Sequence, residues 1–415
     1  MSAETSLQFK KTHSEKTRLW VISELYYPEE TSTGYYLTRI AEGLADDFDV
    51  KVLCGQPNYS VRGTTASKRE KHNGVEIFRA AGTTLDKNVI IFRIINMLSL
   101  STTIFFKAAF YFRRGDRVLV VTTPPLMPLI AAFASLLRGA GYTLLIHDNY
   151  PEILVAVNKI KKNSYFANAV DFCNRWLYKY AAKIIVVGRD MKELVERKSA
   201  GLDVPIVTIP NWAELESVAP MQKKDNLLLI QLGLNEKFVF LYAGNMGHPN
   251  DLESIVECAQ KLLGESGIHF LFLGAGVKRP WLEKQVKDRL LTNITVLEPR
   301  PRSEQTDFLN ACDTAFVSLV GKMYGVSMPS RTYNILAAGK PIIALAERES
   351  ELARVIEEEM VGWVVPPGDP DALLSVIKIA VNSRHDLCQM GERARKSAEI
   401  KYSLEKALER YRIEI

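Results

Sequence analysis

A chain of 415 residues is longer than one ordinary hydrophobic core organises, and 47% apolar with 24% charged residues is a globular composition with apolar mass for two cores. The net charge of +5 is unevenly spread: residues 1–210 hold 28 Lys+Arg against 20 Asp+Glu, whereas residues 211–415 hold 25 against 28. That basic excess in the first half is too mild to argue for nucleic acid, but it suits an anionic membrane surface or a phosphorylated substrate.

The first 17 residues are polar, lack an apolar run of signal-peptide length, and are expected to form a disordered leader. Strands are predicted at 19–25, 50–53, 75–79, 117–121, 143–147, 183–187 and 206–209, then at 238–242, 269–273, 294–297, 314–319, 341–345 and 363–365. Most are continuous apolar runs, the mark of parallel strands buried on both faces. A stripe of Leu37, Ile40, Ala41 and Leu44 makes the first helix, preceded by a loop carrying Ser32, Thr33 and Gly34. The apolar stretch 88–112, followed by Arg113 and Arg114, reads either as a core helix pair or as an interfacial surface meeting lipid. The uncharged run Val118–Leu137 is interrupted by Pro124, Pro125 and Pro128, so a strand, a turn and a short helix are expected there. No segment is expected to span a bilayer.

The strand pattern pauses after Pro210, and the mixed, charged stretch 213–235 is read as a linker between domains at 18–212 and 236–395. A final helix within 396–415 is expected to pack back on the first domain. Asn250 with Glu253 reads as a helix cap opening the stripe Leu252, Ile255, Val256, Ala259, Leu262 and Leu263. Asp369–Pro370 opens another helix. Alternating strands and helices predict two Rossmann-like, doubly wound parallel-sheet domains whose strand carboxyl ends face a central cleft. The five cysteines, Cys54, Cys173, Cys258, Cys312 and Cys388, are scattered and predict free thiols in a reducing compartment.

Two loops carry anion-binding chemistry. Gly244-Asn245-Met246-Gly247 leads into a helix, where close backbone approach and free N–H groups offer a diphosphate cradle or simply an ordinary turn. Pro329-Ser330-Arg331 starts a short helix ending at Gly339, and Arg331 is either a bidentate phosphate ligand or a solvated charge. Gly274 sits in a strand-end turn. The strings Asp47-Phe48-Asp49 and Asp369-Pro370-Asp371 fall at a turn and a helix cap, so no metal site is assigned.

The block ILAAGKPIIA followed by GWVVPPGDPDAL resembles the donor half of family 4 glycosyltransferases. YYPEETSTGYYLTRIAEGL, QPNY, VTTPP, IHDNYPE and YAGNMG extend that resemblance over about residues 18–400. More narrowly the chain is similar to bacterial transferases of capsule, O-antigen and colanic-acid-type exopolysaccharide assembly. The resemblance implies the GT-B fold and retaining transfer from a nucleoside-diphosphate sugar, without further cofactor or metal, to a polyprenyl-diphosphate-linked saccharide. It also implies peripheral placement on the inner face of the cytoplasmic membrane.

The resemblance assigns His147 to the donor sugar near the reacting carbon, with Asp148 beside it. Gly244, Asn245, Gly247, Gly274, Arg300, Met328, Ser330, Arg331 and Asn334 fall on the donor side, and Ser32, Thr33, Gly34 and Tyr59 on the acceptor side. Two family glutamates are replaced by Val326 and Asn334, with Asn334 and Arg331 as the expected substitutes for their ribose and phosphate contacts. A sugar-nucleotide epimerase of the same fold and a non-catalytic partner subunit are the alternative readings.

Overall fold

The computed structural model describes residues 16–57, 66–85 and 89–415, so Tyr59 and most of the leader lie outside the described residues. The last leader residues join the fold instead of preceding it: Lys16 Nζ donates to Ala45 O at 3.0 Å, and Thr17 O accepts from Asp49 N at 3.0 Å.

The first half runs β1 (Arg18–Ile22), α1 (Ser32–Gly43), β2 (Asp49–Cys54), β3 (Arg69–His72) and β4 (Val75–Arg79). It continues with α2 (Ile90–Tyr111), β5 (Arg117–Val121), α3 (Met127–Arg138), β6 (Gly141–Ile146) and α4 (Glu152–Ala156). After these come α5 (Tyr165–Tyr180), β7 (Lys183–Val186), α6 (Arg189–Lys198) and β8 (Ile206–Thr208). The sheet order is β3-β4-β2-β1-β5-β6-β7-β8, parallel throughout except for the β3–β4 pair. β3 is absent from the sequence expectation because REKH is a charged edge strand with no apolar run to announce it.

The second half holds α7 (Leu227–Leu232), β9 (Phe238–Ala243), α8 (Glu253–Lys261), β10 (Ile268–Leu273), α9 (Arg279–Asp288) and β11 (Ile294–Leu297). Then follow α10 (Gln305–Leu309), β12 (Thr314–Ser318), α11 (Arg331–Ala337), β13 (Ile342–Leu345), α12 (Glu351–Glu359) and β14 (Gly362–Val365). Its parallel sheet has the order β11-β10-β9-β12-β13-β14. β9 and β10 are buried at every position, as two-sided coverage requires. Phe240, Phe270 and Phe316 stack across three neighbouring strands with centroids 5.5 to 6.3 Å apart. The remaining helices are α13 (Pro370–Asn382), α14 (Arg384–Ile400) and α15 (Leu404–Glu414).

α15 returns to the first domain, where Arg412 meets Asp47 at 2.7 Å and Lys183 meets Glu414 at 2.7 Å. Tyr36 packs edge-on against Trp212 at 4.6 Å and Tyr333 against Tyr402 at 5.0 Å, so one apolar cluster runs through both domains.

Three local expectations need correction. Residues 90–111 form one continuous helix, not a pair. Its segment Ile94–Tyr111 is long and apolar enough to cross a membrane, contrary to the expectation that no segment could. Leu100, Ser101, Ile104 and Ala108 are nevertheless buried against the domain, while Ile94, Ile95, Leu98, Phe106 and Phe110 face outward. The third correction concerns α8: its first N–H groups are taken by Asp251, which accepts from Ser254 N at 3.0 Å, and Asn250 turns back to the preceding loop. Leu263 of that stripe is exposed.

Candidate functional site

Ligands of open parallel sheets gather beyond the strand carboxyl ends at the point where strand order reverses. In the first sheet that point lies between β1 and β5, in the second between β9 and β12. Across the domain boundary the loop after β12 meets the segments that follow β1, β6 and β7. Asp148 forms an antiparallel bridge with Ser327, Asn149 N donates to Val326 O at 2.8 Å, and Asn149 Nδ2 donates to Gly325 O at 2.7 Å. Asp190 Oδ2, at the start of α6, accepts from Gly325 N and Glu351 N, each at 3.0 Å. Ser32 and Ser330 hydroxyls meet at 2.8 Å. The cleft is thus closed along residues 325–330.

On the second-domain side, Gly244 has φ 138°, and an added Cβ would lie 3.0 Å from Arg331 Cζ. Gly274, at φ 145°, packs so closely on the Gly244 backbone that a Cβ there would lie 2.0 Å from Gly244 O. These glycines therefore serve close packing of two strand-end turns. The Arg331 guanidinium stacks 4.8 Å over the Tyr242 ring, and its contacts to Ala243 O, Asn245 O and Asn250 Oδ1 are all 3.4 Å. Such contacts are longer than ordinary N–H···O bonds. No ion pair to Arg331 forms among the described residues. It is a cation held in place with its donors largely uncommitted, beside exposed Asn245 and buried Gly247. The start of α8, by contrast, is occupied by its own acids, with Leu252 N donating to Glu253 Oε2 at 3.1 Å, so the expected helix-end cradle after this loop is filled from within.

On the first-domain side, His147 follows β6. Its ring is half-buried, yet Nε2 is enclosed and has no hydrogen-bond partner among the described residues. Burial lowers its pKa to about 4, so the imidazole is neutral at physiological pH. Burial raises the neighbouring Asp148 carboxyl to about 6, opposed by a hydrogen bond from Ser327. The Asp148 carbonyl accepts from Thr122 Oγ1 at 3.3 Å.

Other expected residues sit elsewhere. Asn334 is buried with both side-chain ends committed to the interdomain segment: Glu214 N donates to Oδ1 at 2.9 Å, and Nδ2 donates to Glu214 Oε1 at 3.1 Å. It is not free to replace a ribose-binding glutamate. Arg300 pairs with Glu304 at 2.8 Å, and Met328 and Val326 belong to the core. Ser32, Thr33 and Gly34 form the first turn of α1 and not a loop before it, and a Cβ on Gly34 would lie 2.9 Å from Glu29 O. Asp47 and Asp49 are used at the surface near Arg412 and Lys51, Asp369 caps α13 through Ala372 N, and Asp371 pairs with Lys261.

Sequence reasoning missed Glu214 and Arg302. Arg302 pairs with Glu214, donates to Glu30 O at 3.2 Å and lies 3.8 Å over the Tyr35 ring, clamping α1 to the second domain. They line a 360 Å³ interdomain cavity on the linker side, whose lining does not include Gly244 or Arg331. No local signal marks these residues, since their hydrogen-bond partners lie 88 to 272 positions away.

Residues 32–212 match the model of a glycosyl transferase 4-like domain, and residues 237–382 match that of glycosyl transferases group 1. The chain is 30% identical over 362 residues to WbjE of Pseudomonas aeruginosa, named as a glycosyltransferase, covering 87% of this chain and 88% of that one. It is 26% identical over 370 residues to WcaI of Escherichia coli (strain K12), a glycosyl transferase named for colanic acid biosynthesis, covering 86% and 90%. Among solved structures, Anabaena HepE in complex with UDP-glucose superposes with TM-score 0.69 at 13% identity, covering 95% of this chain and 98% of that one.

Proposed function

The chain belongs to the family 4 glycosyltransferases of the GT-B fold, and from that premise we propose that it transfers a sugar from a nucleoside-diphosphate sugar to a lipid-linked saccharide in surface-polysaccharide assembly. The observation that carries this reading is the cation Arg331, poised over Gly244 at the sheet's switch point with its donors largely uncommitted. The nucleotide sugar bound by HepE and the polysaccharide role in the name of WcaI support the donor and the pathway class.

In this reaction the bond from the anomeric carbon to the diphosphate oxygen breaks, and a bond to the acceptor hydroxyl oxygen forms with retention. The leaving diphosphate gains charge, which Arg331 stabilises, and accepts the hydroxyl proton. His147, neutral at the carboxyl end of β6, acts beside the sugar. Release of nucleoside diphosphate is expected only when both donor and lipid-linked acceptor are present. Free interconversion of the donor would indicate an epimerase, and no reaction a non-catalytic subunit. The same assay after exhaustive chelation is expected to retain most of its turnover, because the cation at the diphosphate is a guanidinium; loss restored by magnesium or manganese would overturn that step.

The acceptor's lipid fits the first domain. α2 turns Phe106 (67% exposed) and Phe110 (78% exposed) outward, with Lys107, Arg113 and Arg114 close in sequence and no acid between residues 88 and 115. Peripheral binding at the cytoplasmic face combines apolar burial with about 1 kcal/mol per basic residue near anionic headgroups. Co-sedimentation with anionic liposomes is expected to weaken with salt without vanishing, and to fall sharply in Phe106→Glu/Phe110→Glu. Equal, negligible binding of both proteins would overturn membrane contact.

A further inference from the structure

One buried carboxylate serves the seam between the two domains. Asp190, in the first turn of α6, is 2% exposed, and its oxygens accept from main-chain N–H groups. Met191 N donates to Oδ1 at 2.7 Å, and Gly325 N and Glu351 N each donate to Oδ2 at 3.0 Å. Gly325 and Glu351 belong to the second domain. Glu351 opens α12, so a first-domain acid completes the N-terminal turn of a second-domain helix. Gly325 lies in the loop that runs from β12 to the start of α11 at Arg331.

The contact depends on close approach. Gly325 has φ 71°, where a side chain is strained, and a Cβ on it would lie 2.9 Å from both Asp190 O and Leu194 Cβ. A Cβ on Gly188 would lie 2.8 Å from Asp190 Oδ1 and 3.1 Å from Glu351 Cβ. Glycine on both sides therefore lets the start of α6 touch the loop and α12 directly. The other side of Gly325 is held as well, since its carbonyl accepts from Asn149 Nδ2 at 2.7 Å. Charge ties the same two helices: Arg189 pairs with Glu351 and Glu358, and Arg354 with Glu193, all at 2.8 Å.

That loop leads to the cation. Between Gly325 and Arg331, Val326 and Met328 are buried, Ser327 bridges Asp148, and the Ser330 hydroxyl meets that of Ser32 at 2.8 Å. Arg331 itself makes only contacts of 3.4 Å, so its place is set by where the loop puts the start of α11. We propose that Asp190 is a positioning residue for the transfer: it fixes Gly325 and, through the loop, sets the Arg331 guanidinium at the diphosphate. The proposal rests on the transferase role of Arg331 proposed above and adds the first-domain group that places it.

Asp190→Asn keeps the shape of the side chain and turns an amide donor towards a main-chain N–H. Gly325→Ala disturbs the same contact from the loop side and leaves Asp190 in place. Hydrogen–deuterium exchange of the full chain without ligand, read by mass spectrometry, is expected to quicken by about tenfold or more in the peptide 319–331 of both variants. Peptides of β9 and β10 are expected not to change. Acceptor-dependent nucleotide release is expected to fall by about tenfold to a hundredfold in both, since a misplacement of about 1 Å can cost that much. In an Arg331→Ala background the same substitutions are expected to change turnover by less than about twofold, because the cation they misplace is gone. A role in stability alone would lower turnover equally in both backgrounds. Equal losses with and without Arg331, or unchanged exchange in 319–331, would overturn the proposal. Release by the wild type with no loss in either variant would overturn it and leave the transferase reading intact, whereas no release by the wild type would overturn that reading and the positioning role with it.

Discussion

Arg331→Ala is expected to lower turnover by about two to three orders of magnitude, the usual effect of removing one preorganised donor from developing charge. The guanidinium is held by the Tyr242 face and by three contacts of 3.4 Å, so it needs little rearrangement to reach a diphosphate over Gly244. The alanine variant is expected to fold normally, because Arg331 is half-exposed and forms no ion pair among the described residues. Calorimetry should show weakened nucleoside-diphosphate binding in Arg331→Ala. Arg331→Lys should recover it in part, since an ammonium keeps the charge and loses the two-pronged donor geometry. Unchanged nucleotide affinity in Arg331→Ala would remove this residue from the site.

His147→Ala is expected to reduce turnover far more than it reduces donor binding. A side chain at the cleft end of β6 is placed for a contact made mainly in the transition state, whose loss lowers turnover selectively. Equal losses in binding and turnover would make His147 a ground-state contact. The residue also leaves a signature in stability. Its folded pKa of about 4 lies below the usual 6.5, so its neutral form contributes stability that is present above about 6.5 and lost as pH falls towards 4. Chemical denaturation between these limits should show His147→Gln gaining stability relative to the wild type as pH falls. Asp148 has the opposite sign: with its pKa raised to about 6, its contribution is present at low pH and lost as pH rises through 6. The His147→Gln comparison isolates the first term.

Much of this architecture was legible because parallel strands buried on both faces announce themselves as apolar runs. FVFLY and HFLFL became β9 and β10, and the Leu37, Ile40, Ala41 and Leu44 stripe became the inward face of α1. The charged edge strand REKH has no such run, and the continuity of α2 was hidden by uniform hydropathy, which does not distinguish one helix from two. At the site, Gly244, Gly274, Ser330 and Arg331 were placed by loops adjoining strands and by the start of a helix, features with local sequence signals. Asn334 was misassigned for the opposite reason. Its partner Glu214 is 120 residues away, and nothing near either residue foretells that an amide would pin the interdomain segment. Arg300 and Arg302 stand two positions apart in one basic loop, and only tertiary packing decides that Arg302 reaches Glu214, Glu30 and Tyr35 while Arg300 turns to Glu304.

The central claim is that a sugar leaves a nucleotide at Arg331 and arrives on a lipid-linked saccharide held by the first domain. The direct measurement is product analysis by mass spectrometry after incubation of the purified full chain with isotope-labelled nucleotide sugar and a polyprenyl-diphosphate-linked saccharide. The account predicts an acceptor enlarged by one labelled sugar residue, in equal amount to the nucleoside diphosphate released, and the loss of both products in His147→Ala. Labelled donor recovered as an isomer, or nucleotide released with the label found only as free sugar, would contradict it.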